Sequence, residues 1–154
     1  MALSKHEFHL GMSRATVLNV PLVFQPMIET DPKQSPNSIP TILVVEDETI
    51  LRGAVAKGLQ KNGFFVLQAP DGNHAMHLLA TYAGEIHCMV LDVTLPGTPS
   101  PEVFKGAQRL RPGIRIVIAS AHTRQTCESC LAGIEIECFI RKPFRLAELV
   151  NLIS

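Results

Sequence analysis

The sequence predicts an α/β protein: a doubly wound, five-stranded parallel sheet with helices on both faces. Two observations predict it. Five short apolar runs recur between residues 41 and 154, each followed by a stretch with helical spacing. The strongest runs are continuous rather than alternating, as strands covered on both faces are. Such alternation gives a parallel sheet wrapped by helices through right-handed crossovers.

The elements follow in order. Ile42–Val45 is the first strand. Ile50, Leu51, Ala54, Val55, Gly58 and Leu59 have the spacing of a helix stripe, and Asn62-Gly63 ends that helix, the glycine supplying a left-handed cap. Phe64–Leu67 is the second strand. Asp71 caps a second helix with the stripe Ala75, Leu78, Leu79 and Tyr82. Cys88–Leu91 is the third strand. Ser100-Pro101 is a cap and first-turn pair for a third helix bearing Val103, Phe104, Ala107 and Leu110, which Arg111-Pro112-Gly113 stops. Ile114–Ala119 is the fourth strand and Gln125–Ala132 a weaker fourth helix. Ile136–Ile140 is the fifth strand and Arg145–Ile153 the last helix.

Residues 1–39 read differently. The stretch 29–40 carries three prolines among turn-forming residues, which is linker composition. Ala15–Phe24 is strand-like, but nothing there forms a second core. The expected organisation is a flexible N-terminal segment and linker over 1–39, then one domain over 40–154.

Fourteen basic and fourteen acidic residues cancel. A net charge near zero gives no support for a nucleic-acid or membrane surface, so neither partner is expected. No apolar run approaches the roughly 20 residues of a membrane helix. Val17–Phe24 is broken by Asn19 and Pro21, with no small-residue cleavage site after it, so a cytoplasmic setting is expected.

Carboxylates end two of the apolar runs. Glu46, Asp47 and Glu48 follow the first strand, and Asp92 follows the third. Ser120 follows the fourth and Lys142 the fifth. In open α/β sheets, ligands sit beyond the carboxyl ends of the strands. Glu46, Asp47 and Asp92 would meet there, and three carboxylates so close must take up protons or bind a cation. Oxygen-only ligands suit Mg²⁺. A carboxylate nucleophile, a metal, a hydroxyl and an ammonium together would bind a phosphoryl group, and Asp can form an aspartyl phosphate. Taken singly, each residue has a plainer reading. Asp47 could cap the first helix, Asp92 could be a turn residue, Ser120 could cap the fourth helix and Lys142 could be solvated. Jointly, five polar groups at the ends of four strands favour a site.

Two smaller clusters weigh less. Cys127 and Cys130 have CxxC spacing, but a zinc site needs about four ligands. Only His122 and Cys138 could be added, so helix packing is the better reading. His74 and His77 stand at i, i+3 on the second helix and read as a solvated polar face.

At this point the sequence resembles the receiver domain of two-component response regulators. The resemblance covers about Thr41 to Ser154. It rests on Glu46-Asp47, the segment Val90-Leu91-Asp92 with Leu95-Pro96-Gly97, Ala119-Ser120-Ala121, Lys142-Pro143-Phe144, and Asp71-Gly72 before the second helix. It implies a flavodoxin-like sheet with strand order 2-1-3-4-5. It implies Asp92 as phospho-acceptor, with Mg²⁺ on Asp47, Glu46, Asp92 and the Thr94 backbone carbonyl. Ser120 and Lys142 would contact the phosphoryl group, Ser120 and Phe139 would form the switch, and the Lys142–Pro143 bond would be cis.

The resemblance further implies a histidine kinase or histidine phosphotransfer protein as donor and a downstream protein target. The domain would catalyse only its own phosphorylation and dephosphorylation. The switched surface would lie around the fourth and fifth helices. The linker and the strand before it loosely resemble the approach to the receiver of a hybrid histidine kinase. Three departures stand out: Ser at 120 for the more frequent Thr, Phe at 139 for Tyr, and Thr98-Pro99-Ser100-Pro101 for a Met-Asp-Gly-like stretch. Thr94 and His122, two residues after Asp92 and Ser120, are poor water-orienting groups, so a long-lived phosphorylated state is expected. Two alternatives remain at this stage. One is a phosphatase or phosphotransferase of the haloacid dehalogenase class, although Glu46-Asp47-Glu48 lacks its Asp-x-Asp arrangement. The other is a receiver-like interaction module that is never phosphorylated.

Overall fold

The computed structural model describes residues 39–154. The linker and strand-like readings of the segment before Ile39 lie outside the described residues. Five strands and five helices alternate: β1 (Thr41–Val45), α1 (Thr49–Lys61), β2 (Phe65–Ala69), α2 (Gly72–Thr81), β3 (Cys88–Asp92), α3 (Ser100–Leu110), β4 (Arg115–Ser120), α4 (Arg124–Cys130), β5 (Cys138–Arg141) and α5 (Leu146–Ile153). Every neighbouring pair is parallel, and the sheet order is β2-β1-β3-β4-β5. The sheet is doubly wound, as the alternation of elements predicts, and its flavodoxin-like order is the one the resemblance implies.

The continuous apolar runs have a direct cause. Side chains alternate across a strand, so a strand covered on both faces must be apolar at every position. Leu43, Val45, Met89, Leu91, Ile116 and Ile118 enter one core, which α2, α3 and α4 cover with Ala75, Leu79, Val103, Phe104, Ala107 and Cys127. Ile42, Val44, Cys88, Val90, Val117 and Ala119 enter the other, covered by α1 and α5 with Val55, Ala56, Leu59, Leu149 and Ile153. Cys88 belongs to this packing, and burial pushes its thiol up to about 12. Among the described residues no helix is long and apolar enough to cross a membrane.

Several details differ from the sequence-based expectation. Ile50 is 81% exposed and Ala54 is exposed, whereas Ala56 is buried, so the α1 stripe is narrower and rotated. Leu110 also faces solvent. Neither Asp47 nor Ser120 caps a helix: Glu48 occupies the α1 N-cap without a side-chain bond, and the Thr123 hydroxyl caps α4 by accepting the Thr126 amide. Pro99, not Ser100, is the N-cap of α3, and Ser100 is the first helical residue. Helix α4 ends at Cys130, and Ala132 (φ 55°) and Gly133 (φ 75°) turn the chain away. Cys127 is buried whereas Cys130 is exposed, so the CxxC pair does not present two thiols to one side.

Two adjacent residues at the start of α2 are stereochemically exacting. Asp71 accepts the His74 amide at 2.8 Å and approaches His74 Nδ1 at 2.8 Å. Beside it, a Cβ on Gly72 would lie 1.9 Å from the Thr98 carbonyl oxygen. Glycine is required there by close approach, because α2 begins against the loop that follows β3. Gly72→Ala is expected to destabilise the domain by roughly 1–3 kcal/mol through overpacking. An unchanged urea midpoint would show that the loop yields freely.

The His74 amide, then the His74 side chain, hold the Asp71 carboxyl below its ordinary 3.8. A depressed carboxyl stabilises the fold above its unfolded value, and that contribution is lost as pH falls through the folded one. Asp71→Ala should therefore lower stability at pH 7, with the difference from wild type shrinking below about pH 3.8. Urea titrations at the two pH values measure it, and a difference that grows on acidification would contradict the pairing.

Candidate functional site

The strand register builds the site at the carboxyl edge of the sheet. Val45 lies beside Leu91, so Glu46, one residue on, comes alongside Asp92. Asp92 pairs with Ala119, and Ser120 with Arg141. The Lys142 amide donates to the Ser120 carbonyl at 2.8 Å, carrying the β4–β5 ladder into the site. Four strands thus deliver Glu46, Asp92, Ser120 and Lys142 to one place, with Asp47 on the following loop.

Lys142 is the centre of the cluster. Its Nζ donates to Glu46 Oε2 at 2.5 Å and to Asp92 Oδ2 at 2.6 Å. Glu46 and Asp92 are both buried. Burial raises the Glu46 carboxyl above its ordinary 4.5, and this outweighs the lowering by Lys142. Burial alone would lower the Lys142 ammonium, but the hydrogen bonds and charges of Asp92 and Glu46 together hold it above 10.5. The proton therefore stays on the lysine. The Lys142–Pro143 bond is cis.

The remaining contacts fix the loops that carry the acids. Asp92 Oδ1 accepts the Thr94 amide at 2.9 Å. Ser120 is 1% exposed, and its Oγ accepts the His122 amide at 3.1 Å. Phe139 stands on β5 beside Ile118 of β4 and packs half-buried on the core under α2, α3 and α4. Arg52 of α1 donates to the carbonyls of Glu46 (2.6 Å) and Asp47 (3.2 Å). Ser100 donates to the carbonyls of Asp92 (2.9 Å) and Val93 (2.7 Å). Sequence reasoning did not single out Arg52, and it read Ser100 only as a helix cap.

Carboxylate oxygens of Glu46, Asp47 and Asp92 lie within 4.8 Å of one another. The set is all oxygen, two members are buried and the third is open to solvent. Those are the donors a hard divalent cation takes when it keeps part of its water shell. The arrangement fits such an ion, and Lys142 offsets part of the negative charge meanwhile.

Residues 42–154 match the family described as the response regulator receiver domain. The chain belongs to that family. Across 118 residues the receiver is 32% identical to Protein PetR of Rhodobacter capsulatus, covering 76% of this chain and 48% of that protein. It is 27% identical over 114 residues to Sensor kinase CckA of Brucella abortus, covering 74% of this chain and 12% of that one. The chain therefore spans less than half the length of either relative. Among solved structures, a response regulator receiver protein from Sinorhizobium medicae aligns with a TM-score of 0.67 at 29% identity, covering 76% of this chain and 93% of that one. Receiver domains are regulatory.

Three carboxylates lie close together and one ammonium contacts only two of them, so the cluster carries unrelieved like charge when no cation is bound. Asp47 is the exposed member. Asp47→Asn should raise the melting temperature in EDTA by about 2 °C, because it removes repulsion and leaves the Lys142 contacts intact. An unchanged or lower value would mean that the cluster is not strained by its own charge.

Proposed function

We propose that this receiver accepts a phosphoryl group on Asp92 within a two-component phosphorelay. The observation that carries the reading is the convergence on Asp92: the Lys142 ammonium at 2.6 Å from one of its oxygens and the Glu46 and Asp47 carboxylates beside it. A relative named as a sensor kinase is consistent with a place in such a relay. The donor is a histidine kinase or a histidine phosphotransfer protein. An Asp92 carboxylate oxygen forms a bond to phosphorus as the phosphorus–nitrogen bond of a phosphohistidine breaks. The imidazole keeps the electron pair and takes up a proton.

Glu46, Asp47, Asp92 and the Thr94 backbone carbonyl would hold Mg²⁺, which when bound neutralises charge on the transferring oxygens. Lys142 already lies against Asp92 and adds a positive charge with little rearrangement. The Ser120 hydroxyl accepts from His122, which leaves its proton free to donate to a phosphoryl oxygen. A shift of Ser120 and Phe139 toward that state would bias the surface of α4, β5 and α5, read by a downstream protein. The effect is a population shift, driven by the better contacts one state makes with the added charge.

Incubation with acetyl phosphate and MgCl₂ should add one phosphoryl group, detected by intact mass. EDTA or Asp92→Asn should abolish the addition, and Lys142→Met should slow it at least tenfold, as loss of a charge-stabilising donor does. A wild-type protein that gains no phosphoryl group, or an Asp92→Asn variant that gains as much, would remove the reading. Turnover of a generic phosphoester would favour hydrolase chemistry instead.

A further inference from the structure

We infer that Ser100 is a positioning residue for the acceptor loop: its buried hydroxyl ties the backbone of Asp92 and Val93 to the start of α3. The inference rests on the reading of Asp92 as the acceptor. Ser100 is 2% exposed, and its Oγ lies 2.9 Å from the Asp92 carbonyl oxygen and 2.7 Å from that of Val93. One hydroxyl proton is shared between two acceptors, the Asp92 carbonyl buried and the Val93 carbonyl partly so. The neighbours at this end of the loop, Pro99 and Pro101, have no amide proton to offer.

The stretch of the same loop from Pro96 to Thr98 is held from α2. The Gly72 amide donates to the Pro96 carbonyl at 3.0 Å. Asn73 Oδ1 accepts the Thr98 amide at 3.1 Å and the Thr98 hydroxyl at 2.7 Å. Thr94 lies between these anchors, with its amide on Asp92 Oδ1. The loop that orients the acceptor carboxylate is therefore held at two places, after the strand by α3 and from Pro96 to Thr98 by α2. The clamp coincides with the Thr98–Pro101 stretch, where this chain departs from the family's usual residues. Groups that orient the direct ligands of a metal typically change its affinity 10–100-fold when removed.

The test titrates MgCl₂ into the full chain by calorimetry and follows amide hydrogen exchange in EDTA. Ser100→Ala should weaken Mg²⁺ binding about tenfold, and should speed exchange at Thr94 and Thr98 with no metal present. Ser100→Thr, which keeps the hydroxyl, should restore both. Val103→Ala, a core truncation in the same helix, should lower stability and leave Mg²⁺ affinity unchanged. Asn73→Ala, on the exposed side of the clamp, should give a smaller loss and decides the matter if Ser100→Ala does not fold. Wild-type binding that Ser100→Ala matches, an equal loss in Val103→Ala, or an unchanged Asn73→Ala in that circumstance overturns the inference while the acceptor reading stands. A wild-type chain that binds no Mg²⁺ removes both.

Discussion

One ammonium between two buried carboxylates organises this molecule. Lys142 reaches both Glu46 and Asp92 at hydrogen-bond distance, and those residues sit at the ends of different strands. Buried charges are stable only when paired, and breaking such a pair costs more than forming it gains. The contact therefore requires β1, β3 and β5 to end level with one another. The parallel register provides this, with Ser120 tied by its carbonyl to the lysine's own amide. Glu46, raised by burial, and Lys142, held high by its two partners, are the electrostatic record of the same contact.

The sheet makes that register rigid. Each central strand presents alternate residues to two cores, so a one-residue slip would exchange the contents of both. The acids themselves stand just beyond the strands, where the backbone is no longer held by a ladder. Side chains take over at that point: Arg52 binds the carbonyls of Glu46 and Asp47, and Ser100 those of Asp92 and Val93. Each loop that bears an acid is thus held by a donor from the helix that follows it.

Much of this was legible in the sequence, for physical reasons. A strand buried on both faces leaves a continuous apolar run, and a site at a sheet edge must place its polar residues directly after such runs. Glu46, Asp92, Ser120 and Lys142 could be named on that basis. The helix faces were less legible. Ile50 is apolar and correctly spaced, yet it sits in the first turn of α1, beyond the edge of the core, and is exposed. Ser100 has the composition of a cap, but Pro99 takes the cap position and leaves its hydroxyl for the strand end. Arg52 carries no sequence signal, because its carbonyl partners are not encoded in side-chain identity.

The same geometry explains how a small chemical change could be felt beyond the pocket. Lys142 divides its hydrogen bonds between two carboxylates, and Ser120 accepts an amide of its own loop while retaining a proton. A phosphoryl group on Asp92 would replace one of the lysine's acceptors and offer a new one to the serine. Both residues lie at the ends of β4 and β5, and Ser120 is three residues from the Thr123 hydroxyl that caps α4. A movement of Ser120 would be felt in that turn, because its neighbours in β4 are packed in the cores. Helix α4 is short, its cap is exposed and the chain leaves it through left-handed Ala132 and Gly133, so a response to phosphorylation would be directed there.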